Sequence, residues 1–410
     1  MTLHRDDALT VDAFMPARRS LRVAVVTETW PPEVNGVAAT SARVVAELRD
    51  RGHELQVIRP RQNHEDGAAE EPGYAEVLMR GLPIPRYPQL KMGLPSRRTL
   101  LRLWGLQRPD VVHIVTEGPL GWSALQAAQA LRLPVVSDFR TNFHAYSRHY
   151  GVAWLQRPIV GYLRKFHNRT ACTMVPTDTL RAELQAEGFM NLRVVARGVD
   201  TQLFDPARRS EALRRRWGVA PYEMVALHVG RIAPEKNLET LIAAHAAMRQ
   251  RDPRVKLVFV GDGPARASMQ QRCPDAHFAG LQRGEDLAAH YASADVFLFP
   301  SLTETYGNVL PEALASGLAV VAFDCAAAGQ LVSHGHNGLL VKPGEGAEFC
   351  STAARLAGHM AEARLLGAEG RHTALKLDWG RIAREVESEY LAAIDHAPQL
   401  RLAGRPSPAL

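Results

Sequence analysis

Two acids and two cations carry the chemistry that this chain can do. Glu304 and Glu312 stand with seven residues between them in Pro300-Ser301-Leu302-Thr303-Glu304-Thr305-Tyr306-Gly307-Asn308-Val309-Leu310-Pro311-Glu312. The apolar run Asp295–Phe299 leads into this stretch, and a helix is expected from about Asn308. The loop residues Tyr306, Gly307, Asn308 and Val309 then offer backbone N–H groups at a helix N-terminus, which favours an anion. Arg231 and Lys236 lie in Gly230-Arg231-Ile232-Ala233-Pro234-Glu235-Lys236-Asn237, again directly after an apolar run. An arginine and a lysine are permanent donors suited to a diphosphate. Gly261-Asp262-Gly263-Pro264 follows a third such run and gives the backbone room for close approach. Paired carboxylates alone would also fit the acid and nucleophile of a glycosidase. A glycosidase leaving group carries no diphosphate, so the adjoining cations argue against that chemistry. Taken singly, each loop is equally an ordinary turn with solvated charges.

The elements that must hold these loops read as an α/β pattern. Leu21–Thr27 is a short β-branched run, followed by a Pro-, Asn- and Gly-containing loop, a helix over 38–51 ended by Gly52, and a strand over Glu54–Ile58. Strands are also expected at 111–115, 134–137 and 172–176, with helices near 121–131, 155–170 and 177–187. A second alternation begins at Met224 and continues to Val341, and a helical pattern covers 379–394. The expected organisation is a disordered segment 1–20, a first doubly wound domain 21–200, a connector 201–221, a second domain 222–378 and a disordered tail 396–410. Ligands of such sheets sit at the carboxyl ends of strands, where these loops lie.

Length and composition fit two domains. The chain has 410 residues, 46% hydrophobic and 22% charged, with net charge +6. No run approaches the ~20 apolar residues of a spanning helix. The polar Met1–Ser20 lacks the apolar centre of a signal peptide, so a cytoplasmic protein is expected. Cys172, Cys273, Cys325 and Cys350 are scattered and suggest neither a disulfide framework nor a zinc site. There is no G-x-x-x-x-G-K-S/T, and no G-x-G-x-x-G after the first strand, so nucleotide hydrolysis and dinucleotide redox chemistry are disfavoured. Basic residues cluster at Lys91, Arg97, Arg98, Arg102 and Arg108. Residues 88–106 mix these cations with Leu, Met and Trp, as an interfacial helix does, although an amphipathic helix packed on the sheet reads the same way.

Taken together and in order, the motifs resemble the retaining glycosyltransferases of family 4, with the GT-B fold. The match rests on the Pro31-Pro32-x-x-Asn35-Gly36-Val37 loop, Arg197-Gly198-Val199-Asp200 with Phe204 and Pro206, the Gly230 and Gly261 loops, the Glu304…Glu312 pair and His336-Asn337-Gly338-Leu339-Leu340-Val341. The resemblance implies two Rossmann-like domains facing across a cleft, the first for the acceptor and the second for a nucleotide-sugar donor, with the helix over 379–394 packing back on the first. It implies Arg231 and Lys236 at the donor diphosphate, Glu304 at sugar hydroxyls and Glu312 at the ribose. Gly36, Gly230, Gly261, Asp262, Gly263 and the amides of Tyr306 to Val309 complete the donor site. Neither metal nor other cofactor is implied, and no nucleic-acid partner.

The match departs from the family at one place. Relatives carry Ser-x-aromatic-His-Thr-Asn/Asp after the strand near Val135, whereas this chain reads Ser137-Asp138-Phe139-Arg140-Thr141-Asn142-Phe143-His144. Arg140 occupies the position of the family histidine, with His144 four residues on, and either is a candidate for the donor-sugar site. The resemblance reaches bacterial GDP-mannose-dependent α-mannosyltransferases and sulfoquinovosyl or glucosyl glycolipid transferases. It implies hexose transfer to a lipid or saccharide, with mannose from GDP-mannose first and a UDP-hexose second, and possible peripheral contact with an anionic inner membrane. A catalytically inactive binding protein of the same fold is the further alternative.

Overall fold

A computed structural model describes residues 19–33, 35–84, 87–140 and 156–396. The apolar runs form parallel strands buried on both faces, which is why they read as continuous Val, Ile and Leu rather than as alternating patterns. The strands of the first half are β1 (Arg22–Val26), β2 (Glu54–Pro60), β3 (Glu70–Glu71), β4 (Tyr74–Met79), a hairpin of β5 (Gly81–Ile84) and β6 (Tyr87–Gly93), then β7 (Val111–Ile114), β8 (Val135–Asp138), β9 (Cys172–Val175) and β10 (Leu192–Val194). One sheet runs β10-β9-β8-β7-β1-β2-β4-β3, parallel except for β3, and β5 pairs with β6 apart from it. The helices are α1 (Gly36–Asp50), α2 (Arg97–Leu106), α3 (Pro119–Ala130), α4 (Gln156–His167) and α5 (Asp178–Ala186). Asn35 starts α1 by accepting from the amides of Val37 and Ala38 at 3.1 and 2.8 Å.

The second half contains α6 (Glu211–Arg216), β11 (Val225–Val229), α7 (Leu238–Arg251), β12 (Lys256–Val260), α8 (Arg266–Arg272), β13 (His277–Phe278), α9 (Gly284–Ala292) and β14 (Val296–Phe299). It continues with α10 (Val309–Ala315), β15 (Ala319–Phe323), α11 (Ala326–Leu331), β16 (Leu339–Val341), α12 (Gly346–Leu356), α13 (Met360–Ala374) and α14 (Trp379–His396). Its sheet runs β13-β12-β11-β14-β15-β16. Counted from β11, that is the doubly wound order in which a crevice opens between the first and fourth strands. The Arg231/Lys236 loop leaves β11 and the Glu304 loop leaves β14, so the strand order alone brings the two loops together. In the first sheet the corresponding reversal lies between β1 and β7.

The last helix crosses back. Ala383, Val386, Tyr390 and Ala393 of α14 are buried in one cluster with Val23, Val25, Val111 and Val136 of the first sheet.

Two local expectations change. Residues 88–106 are not one helix: β6 runs to Gly93 and α2 begins only at Arg97. Pro95 disfavours helical backbone at Leu94, and a Cβ on Gly93 would meet Leu120 at 2.6 Å, so the chain must turn there. Strands β3 to β6 lie where no strand was expected. Tyr74 to Leu78 of β4 are only half-buried, and the segment lacks the continuous apolar signature of the inner strands.

Candidate functional site

The two chemistry-bearing loops of the second half are stitched together by side chains of each that donate to the backbone of the other. Thr303 Oγ1 donates to the Glu235 carbonyl at 3.1 Å, and Asn237 Nδ2 donates to the Pro300 carbonyl at 3.1 Å. Asn237 takes φ 54°, a left-handed conformation that asparagine tolerates, and so lets the short turn Pro234–Lys236 run directly into α7. The consequence is an ion pair between Lys236 Nζ and Glu304 Oε1, with both side chains largely buried. Ser301 Oγ also donates to Glu304 Oε1 at 2.9 Å. Arg231 lies 3.2 Å from Glu235 and keeps 43% of its side chain exposed, so its guanidinium stands at the rim of the crevice.

The Gly261 loop braces this arrangement from behind. Ile232 N donates to Asp262 O at 2.9 Å and Ala265 N donates to Ile232 O at 3.0 Å. At φ 131°, a Cβ on Gly261 would fall 2.0 Å from the Gly230 carbonyl. Gly261 therefore has a packing reason of its own, and Gly263 likewise, with Ile232 O at 2.4 Å. Asp262 is engaged within its own loop, accepting from Gly263 N at 2.7 Å and Arg266 Nη1 at 2.9 Å.

Glu312 sits one turn into α10. Tyr291 donates to its Oε2 at 2.8 Å. Burial raises the Glu312 carboxyl to about 7, against the opposing effect of the Tyr291 hydrogen bond. Below this site, His228 of β11 is fully buried, and burial and then the Lys236 charge lower its imidazole to about 4. It is a neutral floor beneath the Lys236–Glu304 pair.

The two halves meet at Asn308, which begins α10. Its Nδ2 donates to Thr40 Oγ1 at 3.2 Å and approaches the Gly36 carbonyl at 3.5 Å. Its Oδ1 accepts from Arg197 Nη1 at 2.9 Å. Gly36 and the loop of Tyr306, Gly307, Asn308 and Val309 thus face each other across the cleft. Tyr306 is fully buried and donates to the Arg197 carbonyl at 3.2 Å, and the Arg197 guanidinium lies 5.4 Å over its ring.

Arg140 reaches the same region from β8. Its Nη2 and Nε lie 2.5 and 2.7 Å from Asp138 Oδ2. His113 Nε2 lies 3.0 Å from that same oxygen, and His113 Nδ1 lies 2.7 Å from the Tyr390 hydroxyl of α14. Burial would raise the Asp138 carboxyl, but the adjacent Arg140 guanidinium and the His113 imidazole outweigh it and hold the group well below the ordinary carboxylate range. His144 lies outside the described residues.

At the opposite reversal point, Glu28 accepts from Leu120 N at 2.9 Å, at the start of α3. Burial raises its carboxyl to about 7, against that backbone hydrogen bond. Among the described residues no group of three or more His, Cys, Asp or Glu is placed to hold a metal ion. The sequence reading gave no role to Arg197, Tyr291, His113 or Glu28. Arg197 did carry a signal: an arginine inside the apolar run Val194-Val195-Ala196-Arg197-Gly198-Val199 has a special reason to be there.

Comparisons with known proteins identify the family and the fold. The family model described as Glycosyltransferase Family 4 matches residues 34–203, and that described as Glycosyl transferases group 1 matches residues 223–359. The GDP-mannose-dependent alpha-mannosyltransferase of Mycobacterium tuberculosis is 38% identical over 79% of this chain and 85% of its own length. The sulfoquinovosyl transferase of Arabidopsis thaliana is 31% identical over 96% of this chain and 78% of its own. Among solved structures, sucrose-phosphate synthase from Thermosynechococcus elongatus superimposes with a TM-score of 0.74 at 20% identity, covering 92% of this chain and 99% of that one. The chain belongs to the group 1, family 4 glycosyltransferases, has their GT-B fold and is a hexosyltransferase.

Proposed function

We propose that this enzyme transfers mannose from GDP-mannose to a lipid or saccharide acceptor, with retention of anomeric configuration. The observation that carries the reading is the Lys236–Glu304 ion pair at the mouth of the β11/β14 crevice. It puts a cation suited to the diphosphate beside a carboxylate suited to sugar hydroxyls, as a nucleotide-sugar requires at the bond that breaks. As that bond breaks, negative charge grows on the departing diphosphate, and Lys236 and Arg231 are the fixed cations that meet it. Glu312, one turn along α10, accepts from the ribose hydroxyls. Metal-independent catalysis is part of the proposal, because arginine and lysine supply the charge. Undiminished turnover in the presence of a strong chelator supports it, and loss of turnover restored by a divalent cation rejects it.

The choice of GDP-mannose follows the relatives at 34–38% identity, all GDP-mannose-dependent alpha-mannosyltransferases. A UDP-hexose-dependent glycolipid synthase is the second reading. The sulfoquinovosyl transferase aligns over more of this chain, and an alpha-monoglucosyldiacylglycerol synthase from Streptococcus pneumoniae is 26% identical over 74% of it. The assembled Arg231, Lys236, Glu304 and Glu312 favour turnover over a catalytically inactive binding protein. Release of nucleoside diphosphate across a panel of GDP- and UDP-hexoses separates the donors.

A cytoplasmic enzyme that touches the inner membrane face to reach a lipid completes the proposal. No described helix is long and apolar enough to cross a membrane. In α2, Leu100 and Trp104 are buried against the protein, while Arg97, Arg98 and Arg102 are exposed beside Leu106. This leaves a cationic surface for anionic lipid. Absence of binding to anionic vesicles at low salt removes this part.

A further inference from the structure

Arg197 is a cation held where a cation is costly. The residue is 8% exposed, and no described carboxylate lies within ion-pair distance of it. Its contacts are the neutral Asn308 amide oxygen and the face of Tyr306. A second guanidinium, that of Arg140, lines the same small cavity, together with Thr40 and Asp138. Burial, and after it the Arg140 charge, lower Arg197 to about 10. Asp138, the one carboxylate among the described residues lining that cavity, is bound to Arg140 and not to Arg197. Burying an unpaired charge is strongly unfavourable unless an opposite charge arrives to meet it. The surroundings point to the donor as the source. Asn308 begins the helix whose loop faces Gly36, and Tyr306 belongs to the Glu304 loop.

We propose that Arg197, with Arg140 beside it, is an anion seat on the linker side of the cleft that takes an oxyanion of the donor. This rests on the nucleotide-sugar reading and adds to it a third and a fourth cation, opposite Arg231 and Lys236. The oxyanion belongs either to the diphosphate or to an acidic group on the transferred sugar. Because Arg197 sits between the two halves and binds Asn308, its ligand also ties the first half to the donor loop.

The test is binding of guanosine, GDP, GDP-mannose, UDP, UDP-glucose, UDP-glucuronate and inorganic pyrophosphate to the wild-type protein, Arg197→Gln, Arg197→Lys and Arg140→Gln. Loss of a charged hydrogen bond predicts an affinity about tenfold to a hundredfold weaker in Arg197→Gln, with Arg197→Lys between it and the wild type. Nucleoside affinity stays unchanged, which a merely structural arginine would not produce. A loss already present with GDP, UDP or pyrophosphate assigns the seat to the diphosphate. A loss confined to UDP-glucuronate assigns it to an acidic sugar. Equal affinity of the wild type and Arg197→Gln for every phosphate-bearing ligand overturns the proposal while leaving the donor reading intact. If the wild type binds no nucleotide or nucleotide-sugar, the donor reading fails, and the proposal survives only as an anion seat if pyrophosphate binding is lost in Arg197→Gln. Should Arg197→Gln not fold, Arg140→Gln and Arg197→Lys carry the same comparison, and wild-type affinity in both overturns it.

Discussion

Glu312 is the residue at which protonation and ligand binding meet most directly. Its carboxyl is raised by burial to about 7 in the folded chain, from an ordinary 4.5. The folded state therefore holds a proton that the unfolded state has released. The stabilisation this gives is fully present below about 4.5 and is lost as pH rises through about 7. If ribose hydroxyls donate to Glu312, as proposed, they favour its charged form, so donor affinity is predicted to rise with pH through that range and then level off. Glu312→Gln flattens this limb, as titration calorimetry across the range reads directly. A limb that survives in Glu312→Gln belongs instead to Glu28, which burial also sets at about 7. Lys236 makes a different prediction. If its charge meets the departing diphosphate, Lys236→Met lowers single-turnover kcat about a hundred- to a thousandfold, with a smaller change in donor affinity.

At the scale of elements, α14 is a brace for the first half of the site. Tyr390 reaches from it to His113, and His113 to the Asp138 that holds Arg140. Tyr390→Phe leaves a buried imidazole nitrogen without its partner and is predicted to cost about 1–3 kcal/mol in denaturant unfolding. Helix α2 divides its work between two faces. Trp104 is fully buried, so Trp104→Ala costs about 3–5 kcal/mol. Replacing Arg97, Arg98 and Arg102 together by Gln changes stability by less than about 0.5 kcal/mol but abolishes sedimentation with anionic vesicles. Vesicle binding that survives in the triple variant would exclude α2 as the contact. The inner parallel strands were legible because burial on both faces demands unbroken apolar runs. β4 was not, because a half-buried strand flanked on its outer side only by the two-residue edge strand β3, Tyr74-Ala75-Glu76-Val77-Leu78-Met79, has no such constraint.

At the scale of the whole molecule, the fold does one thing for function: it sets loops from distant strands against each other. The loops after β11 and β14 could be paired from sequence because each follows its strand immediately and the doubly wound pattern places them at one crevice. Contacts that cross the molecule left no such trace. Arg197 meets Asn308 across 111 positions and Tyr390 meets His113 across 277, and neither spacing has a local signature. The legible part of the site is therefore its chemistry on the donor side. The illegible part is the set of side-chain contacts, such as Arg197 with Asn308, that tie it to the first half, which only folding creates. The central claim is that the crevice binds a nucleotide-sugar and releases its nucleoside diphosphate. The most direct measurement is nucleoside diphosphate release by the wild-type enzyme from GDP-mannose and UDP-glucose, with lipid and saccharide acceptors, alongside Lys236→Met. The account predicts acceptor-dependent release of GDP, faster than that of UDP, and its loss in Lys236→Met. Release that is undiminished in Lys236→Met, or none from any GDP- or UDP-hexose by a protein that binds GDP, would contradict it.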